Sequence, residues 1–234
     1  MKPIKVRGLV LSEYEAGESD KRLMIFAKGQ GRLMVYARGA RKPTSKFLAA
    51  AQVFTYADFV LTQGRGFYAL AQAQVIESFY PLRQDYDRLM AAHRITRVCQ
   101  QNLWDNLESD TLLWLALKSL AVLAKGEVPP LQVTNVFAMR FFDVSGLRPE
   151  VEHCIVCNAP VTGEVPMAIC PEGLVCGSHK PPLHRMLPPG AVLGLQHILG
   201  SSLSGAYGFT ASQEVLEALD SAATFIWDSH FGDV

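Results

Sequence analysis

The chain has 234 residues, of which 49% are hydrophobic, and its formal net charge is zero. This size and composition can bury one large core or two smaller ones. The longest apolar stretch, residues 111–124, contains Lys118 and is too short to span a bilayer, which excludes a membrane span there. The opening segment KPIKVRGLVLSEYEAG has no positive region followed by an apolar run, so no signal peptide is predicted. We therefore expect a cytoplasmic protein without a membrane partner.

Charge is distributed unevenly along the chain. The first 50 residues hold 11 Lys and Arg against 4 acidic residues, and the remainder holds 11 against 18. The asymmetry predicts an N-terminal module that binds a polyanion, followed by a part of the chain with a different role. A solvated basic face without a ligand is the alternative interpretation.

Up to about residue 80, short β-prone runs alternate with turns that contain glycine. Five runs fit strands, and the turns KGQG and QGRG fit tight hairpin connections. The five runs are IKVRGLVLSEY, KRLMIFA, RLMVYAR, QVFTYADFVLT and FYALAQAQVIES. Five closely spaced strands predict a small barrel. An OB-fold, the five-stranded barrel that binds oligonucleotides, and an SH3-like barrel both fit this count.

From about residue 85, the apolar spacing changes to that of helices, with apolar residues every three or four positions. Three stretches show it: Ala92, Ile95, Cys99, Leu103 and Leu107; Val133, Val136, Phe137, Phe141 and Val144; Val215, Leu216, Leu219, Ala222, Ala223 and Ile226. Ser109 fits the N-cap of a helix, and Thr210 with Gln213 has capping-box spacing. The segment before the last stretch is rich in cysteine and flanked by KPP and LPPG, so we predict a loop-built insert in a helical domain.

Four of the five cysteines lie in this insert. Cys154 and Cys157 form a C-x-x-C pair, and 18 residues separate it from the C-x-x-H pair of Cys176 and His179. Two such turns complete a closed tetrahedral site, so the pattern predicts structural zinc (Zn²⁺). The fourth ligand stays open, and the alternatives are Cys170, His153 and His184. Free cysteines in a reducing cytosol are the alternative to metal binding.

The most specific stretch is GRLMVYARGARKPTSK, residues 31–46, which follows VRGLVLSEY and GESDKRLMIFAKGQ and precedes the helices and the insert. Over nearly the whole chain this arrangement resembles the RecO family of bacterial recombination mediators. The resemblance implies an α+β multi-domain fold: an N-terminal five-stranded OB-fold barrel and an α-helical domain with a zinc-ribbon-like insert. We predict an OB-fold DNA-binding domain over residues 1–80, a helical domain over residues 81–150 and 186–234, and a zinc-binding insert over residues 151–185.

The resemblance also implies a function in DNA repair and recombination without enzymatic turnover. Members of the family bind single- and double-stranded DNA and anneal complementary strands. With RecR they load RecA onto DNA covered by single-strand-binding protein (SSB), and they accept the C-terminal tail of SSB. A nucleoid-associated location is implied with these partners. Zinc-bearing members often end the insert with Gly-Gly-x-x-Cys-x-x-Cys, whereas this chain has EGLVCGSH, so zinc binding here depends on a Cys-to-His replacement.

The DNA-binding surface is predicted from charge and aromatic residues on the barrel. Cations on a strand and loop at one rim can neutralise phosphates, and aromatic rings on the strands can stack on bases. Core packing competes for each ring, because barrel interiors use aromatic residues at the same alternating spacing. The residues selected are Arg38, Arg41, Lys42, Lys46, Arg32, Lys28, Arg65, Tyr36 and Tyr68, with Lys21 and Arg22 as extensions of the surface.

Two other functions compete with DNA annealing. The first is a zinc-stabilised adaptor for protein contacts, whose barrel binds RNA or an acidic protein. The second is a metalloenzyme, which would need an open metal position and a nearby general base such as Glu152 or Glu172, but four protein ligands close the site. Arg140, among apolar residues of a predicted helix, is a candidate contact for the SSB tail, and a snorkelling arginine is its structural alternative.

Overall fold

The computed structural model describes residues 3–64, 67–103 and 109–232. The chain divides into two compact units, Met1–Gly126 and Glu127–Val234. Among the described residues, the first unit contains a closed β-barrel and two α-helices, and the second contains three α-helices and a small three-stranded sheet. No helix within the described residues is long and apolar enough to cross a membrane.

The barrel consists of five strands in the order β1-β2-β3-β5-β4, which confirms the predicted five-stranded barrel. The strands are β1 Ile4–Ala16, β2 Asp20–Ala27, β3 Gly31–Ala37, β4 Tyr56–Gln63 and β5 Tyr68–Glu77. All pairs are antiparallel except β3 with β5. Because the barrel is closed, no long strand edge is left unpaired, and the outer surface of the barrel does not have to pair with another strand.

Every second side chain of a barrel strand points inward and fills the interior of the barrel. In β3, Leu33, Val35 and Ala37 are buried, while the residues between them face outward. Tight hairpins join β1 to β2 and β2 to β3, and Gly17 and Gly29 there have positive φ values of 67° and 69°, which glycine adopts without strain.

The fourth strand begins later than the sequence predicts. The run QVFTYADFVLT was expected to be one strand, but β4 starts only at Tyr56. Phe54 has a φ of 70°, and its N–H donates to the carbonyl of Val10, so the chain turns before it joins the sheet. The apolar pattern of this run arises from burial of a turn as well as of a strand.

Two helices complete the first unit. Helix α1, Tyr86–Asn102, is capped by the Asp85 side chain, which accepts a hydrogen bond from the Arg88 N–H. Helix α2, Asp110–Lys125, has the predicted Ser109 at its N-cap, although the serine side chain makes no capping hydrogen bond. The first predicted apolar stripe is buried at Ala92, Ile95, Cys99 and Leu103, and its last member, Leu107, lies outside the described residues.

The second unit is built from helices α3 Pro130–Val144, α4 Pro189–Gly200 and α5 Gln213–Phe231. Between α3 and α4 lies the predicted insert, with strands β6 Met167–Cys170, β7 Gly173–Val175 and β8 Arg185–Leu187 in the order β7-β6-β8. The cap predicted for the last helix is shifted. Ser212, rather than Thr210, is the N-cap of α5 and accepts from the Val215 N–H, because the helix begins at Gln213.

Candidate nucleic-acid interface and metal centre

The outward residues of β2 and β3 line an open groove on the barrel. Strand register places Arg22 opposite Tyr36 and Met24 opposite Met34, so these side chains share one face of the sheet. The groove has a volume of about 690 Å³. We call it the β3 groove, and its lining residues are Asp20, Arg22, Met34, Val35, Tyr36, Arg38 and Phe67.

Apolar and aromatic surface is exposed in the β3 groove. The rings of Tyr36 and Phe67 form a tilted pair with centroids 6.0 Å apart, and Phe67 is 46% exposed. Met34 beside them is 37% exposed. Exposed rings in an open groove offer faces on which nucleic-acid bases of any sequence can stack.

Asp20 fixes the position of Tyr36 and of the following turn. Its Oδ2 accepts from the Tyr36 hydroxyl, and its Oδ1 accepts from the Gly39 N–H, both at 2.7 Å. The backbone hydrogen bond from Gly39 and then that from Tyr36 lower the pKa of Asp20 below its usual range. The same contact raises the pKa of Tyr36. The hydroxyl at the edge of the Tyr36 ring is therefore anchored.

The predicted loop cations have different environments. Arg38 is exposed and lines the β3 groove. Arg41 is half-buried and has several partners: it forms an ion pair with Glu15 at 2.8 Å and donates to the carbonyls of Gly17 and Glu18. Arg41 therefore ties the loop to the β1–β2 turn, which is a structural role that the sequence did not indicate.

Two lysines of this loop are exposed. Lys42 lies on the surface, one residue after Arg41. Lys46 donates to the carbonyl of Ala71 at 3.3 Å, and its ammonium lies 4.9 Å from the centroid of the Phe47 ring. Neither lysine lines the β3 groove, so their part in DNA binding stays a prediction.

The remaining selected residues lie elsewhere or are packed. Arg32 is half-buried at the start of β3, and Lys28 lies in a different groove of the barrel. The Tyr68 ring packs against the barrel core, which is the alternative to base stacking that was considered for each aromatic residue. Arg65 lies outside the described residues.

Four lining residues of the β3 groove were not selected from the sequence: Asp20, Met34, Val35 and Phe67. Phe67 was one of several aromatic residues on predicted strands, and Met34 carried no signal of its own. The β2–β3 register would have found Met34, because it is two positions from Tyr36 and therefore on the same face. Phe67 lies just before β5 and no periodicity fixes its direction.

A Cys and His cluster forms in the insert of the second unit. One ligand atom from each of Cys154, Cys157, Cys176 and His179 lies within 4.8 Å of all the others. The Cys157 and Cys176 sulfurs are 3.9 Å apart, and Cys176 Sγ is 3.0 Å from His179 Nδ1. Three thiolates and one imidazole fit a tetrahedral ion, so the cluster could hold a metal and is consistent with zinc.

The surroundings of the cluster favour thiolate at Cys154. Burial opposes its ionisation, but backbone N–H groups of Cys157, Cys176 and Val156 outweigh burial and lower the pKa of Cys154 to about 6. Cys170, the alternative ligand, is not among the clustered residues. It packs with Cys154, Ala168 and Val175 in a small apolar core, and burial raises its pKa. His153 and His184 are likewise outside the cluster.

Fold and site together define a class of protein. It has a small five-stranded barrel of the kind that binds nucleic acids, followed by a helical part with an insert whose Cys and His residues could hold a metal. Family models match both parts of the chain. "Recombination protein O N terminal" matches residues 1–79 and "Recombination protein O C terminal" matches residues 83–233. With the closed barrel, the first match confirms the OB-fold prediction.

Curated relatives agree with the family models. The DNA repair protein RecO of Acetivibrio thermocellus is 33% identical over 223 residues, which cover 94% of this chain and 88% of that protein. The DNA repair protein RecO of Heliobacterium modesticaldum is 32% identical over 208 residues, covering 85% and 74% of the two chains. The chain belongs to the RecO family of DNA repair proteins, as its resemblance indicated.

Proposed function

We propose that this protein is a non-enzymatic mediator of recombinational repair that binds single- and double-stranded DNA through the β3 groove and anneals complementary strands. One observation carries the proposal. The Tyr36 and Phe67 rings line the same open groove as the exposed cations Arg22 and Arg38. Stacking surface between cations is the combination by which OB-folds hold single strands.

The chemistry of the β3 groove predicts binding without strong sequence preference. Arg22 and Arg38 would neutralise phosphates and release counterions, and the rings would stack on any base. Asp20, which also lines the groove, has both carboxylate oxygens engaged by Tyr36 and Gly39, so its geometry is fixed, and its negative charge offsets part of the attraction of the two cations for phosphates. Binding through phosphates should weaken steeply with salt.

Annealing follows from charge neutralisation. Two complementary strands repel each other through their phosphates, and a basic surface that neutralises those phosphates lowers the barrier to their encounter. The step needs no nucleotide hydrolysis and no catalytic residue.

In the cell, the family membership supports action with RecR to load RecA onto single-stranded DNA covered by SSB, in the cytoplasm at the nucleoid. The SSB tail is acidic with an apolar tip and would need a basic-edged apolar groove. Arg140 is a poor candidate for this contact. Its guanidinium pairs with Asp143 at 3.1 Å, donates to the Ser201 carbonyl and is only 11% exposed. The tail contact is therefore proposed for other residues of the helical part.

Zinc would serve as a structural cross-link in this function. Cys154, Cys157, Cys176 and His179 would hold it and leave no position for water or substrate, so the ion would supply folding energy rather than catalysis.

The test is binding of fluorescein-labelled single-stranded DNA of mixed sequence, measured by anisotropy over a salt series. We expect Arg22→Ala/Arg38→Ala to lower the slope of log affinity against log salt by about 1.4, because each phosphate contact contributes about 0.7. Phe67→Ala should cost about 1–3 kcal/mol of binding and leave the salt slope unchanged, since it removes only stacking.

A matched control removes the same charge elsewhere. Lys125→Ala/Arg148→Ala deletes two exposed cations that line neither the β3 groove nor the groove that contains Lys28, and it should retain wild-type binding. If the wild type binds no DNA, the proposal is wrong and the adaptor function becomes the better explanation. If only the control variant loses affinity, the DNA lies on another surface.

A further inference from the structure

A second groove lies on a different face of the barrel. It has a volume of about 730 Å³ and is formed by the outer surfaces of β1, β4 and β5. Strand β4 pairs with neither β2 nor β3, so this face is separate from the one that carries the β3 groove. We call it the β4 groove, and its lining polar residues are Lys5, Arg7, Lys28, Asp58, Gln72 and Gln74.

Strand register arranges these side chains in two rows across the sheet. Lys5 pairs with Val60, which pairs with Gln72, and Arg7 pairs with Asp58, which pairs with Gln74. The two rows are two residues apart, about 7 Å along the strands. Three cations and one carboxylate give the groove a net charge of +2, and the two amides add donors and acceptors at its far side.

Arg7 is held in place without losing its capacity to bind an anion. Its Nε and one terminal nitrogen donate to the two oxygens of Asp58 at 2.7 and 2.9 Å. A guanidinium has five N–H donors, so three remain for another ligand. The side chain is 52% exposed, and its remaining donors are therefore accessible to a phosphate.

An exposed aromatic ring adjoins the β4 groove at Lys28. The hairpin that carries Lys28 is fixed to helix α2, because the Gly29 N–H donates to Asp110 at 2.7 Å. The Lys28 ammonium lies 5.7 Å from the centroid of the Trp114 ring, and Trp114 is 47% exposed. A large exposed ring beside a cation provides the same combination of stacking and charge as the β3 groove.

We propose that the β4 groove is a second binding site for single-stranded DNA, which holds one strand while the β3 groove holds its complement. The inference rests on the proposed function and extends it from one DNA surface to two. Lys5, Arg7 and Lys28 contact phosphates, Gln72 and Gln74 contact the sugar–phosphate backbone or base edges, and Trp114 stacks on a base. A single chain then brings two strands together without a partner copy.

The experiment measures how many strands one chain binds. Two non-complementary labelled strands of about 12 nucleotides, within the range of OB-fold site sizes, are titrated into the full-length wild type and into Lys5→Ala/Lys28→Ala. We expect two equivalents for the wild type and one for the variant, which keeps the wild-type affinity for the first strand. Annealing of complementary strands by the variant should fall towards the rate without protein.

Trp114 gives an independent readout. The chain has three tryptophans, so the Trp114 signal is taken as the difference between the wild type and Trp114→Leu. DNA in the β4 groove should quench this signal, and Trp114→Leu should weaken binding in the β4 groove while sparing the β3 groove. Arg22→Ala/Arg38→Ala is the reciprocal variant and should lose the strand that the β4 variant retains. Lys125→Ala/Arg148→Ala controls for the loss of two positive charges.

The outcomes separate the inference from the proposed function. A wild type that binds one equivalent, or a Lys5→Ala/Lys28→Ala variant that binds and anneals like the wild type, overturns the second site and leaves the β3 groove intact. A wild type that binds no strand overturns both. Loss of one equivalent together with loss of annealing in the β4 variant supports two sites on one barrel.

Discussion

The barrel and the cysteine insert are small β-structures that differ in strand length and in the size of their own cores. The barrel has strands of up to 13 residues, closes on itself and buries large side chains such as Phe59 and Leu61. The insert has strands of four, three and three residues, and Cys154, Ala168, Cys170 and Val175 form its own small core. Burial stabilises the barrel, and we predict that metal ligation by the cysteine and histidine cluster adds stability to the insert.

Removal of the metal ligands should give the largest difference between the two regions. In Cys154→Ser/Cys157→Ser, we expect about one zinc per chain to fall to none, because two of four ligands are lost. Structural zinc contributes about 10–16 kcal/mol in zinc-finger peptides, so the insert should unfold. Hydrogen exchange should show lost protection at residues 150–187 and unchanged protection in the barrel strands, alongside metal analysis of the same samples.

Cys170→Ala is the matched control, because Cys170 is a buried cysteine of the same insert outside the cluster. It should retain metal and lose only packing. Metal-free wild-type protein with a protected insert would show that burial alone stabilises this region, and the comparison with the barrel would fail.

The contrast between the two regions also explains which features of each could be predicted from the sequence. The barrel was found from alternation, since Leu33, Val35 and Ala37 point inward at every second position. The metal cluster was found from chemistry, since two C-x-x pairs have few other uses. The structure brings the residues of the two pairs together because their spacing reflects turn geometry, and their role as ligands stays a prediction. Cys170 was ambiguous because the short strand β6 is buried at all four positions and shows no alternation.

Identical substitutions in the two regions should destabilise them separately. A Cβ at Gly8 in β1 would lie 2.6 Å from both Ile25 Cγ2 and the Phe26 carbonyl oxygen. A Cβ at Gly173, which has a φ of 150°, would meet the backbone of Glu150. Overpacking costs about 1–3 kcal/mol, and backbone strain at Gly173 adds a similar amount.

We expect Gly8→Ala to lower the denaturant midpoint of the barrel and leave metal retention unchanged. Gly173→Ala should release metal to a chelator faster and leave the barrel midpoint unchanged. Gly200→Ala serves as the control, since no atom lies within 4 Å of a Cβ there. The reverse pattern, with metal release faster in Gly8→Ala, would mean that the two regions are stabilised together.

The β3 groove was less predictable than either scaffold. Basic residues of the stretch 31–46 were read as one rim, but Arg41 is engaged by Glu15 and two carbonyls, and only Arg38 of the loop cations lines the groove. Long-range pairs of this kind depend on how β1 and β2 turn, and charge counts carry no information about them. The local sequence pattern therefore predicted the positive charge of this surface but not which of its residues line the groove.

The smallest predicted effect concerns the carboxylate that organises the β3 groove. Because the folded pKa of Asp20 lies below the unfolded value of about 3.9, its contribution to stability is fully present above that value and is lost as pH falls through the folded pKa. Asp20→Asn keeps an acceptor for the Gly39 N–H but cannot titrate. Acid unfolding of the barrel should therefore depend less steeply on pH below about 4 in this variant.

Glu164→Gln, an exposed change in the second unit, is the control for removal of one negative charge and should retain the wild-type pH dependence of the barrel.

DNA affinity adds a second readout for Asp20→Asn. Loss of the carboxylate removes a negative charge from the groove, which favours phosphate binding, but it also loosens Tyr36. If contacts with phosphates dominate binding, the DNA affinity of Asp20→Asn rises at low salt. If stacking on the rings dominates, its affinity falls at every salt concentration. The sign of this change decides which half of the groove, the cations or the rings, contributes more to binding.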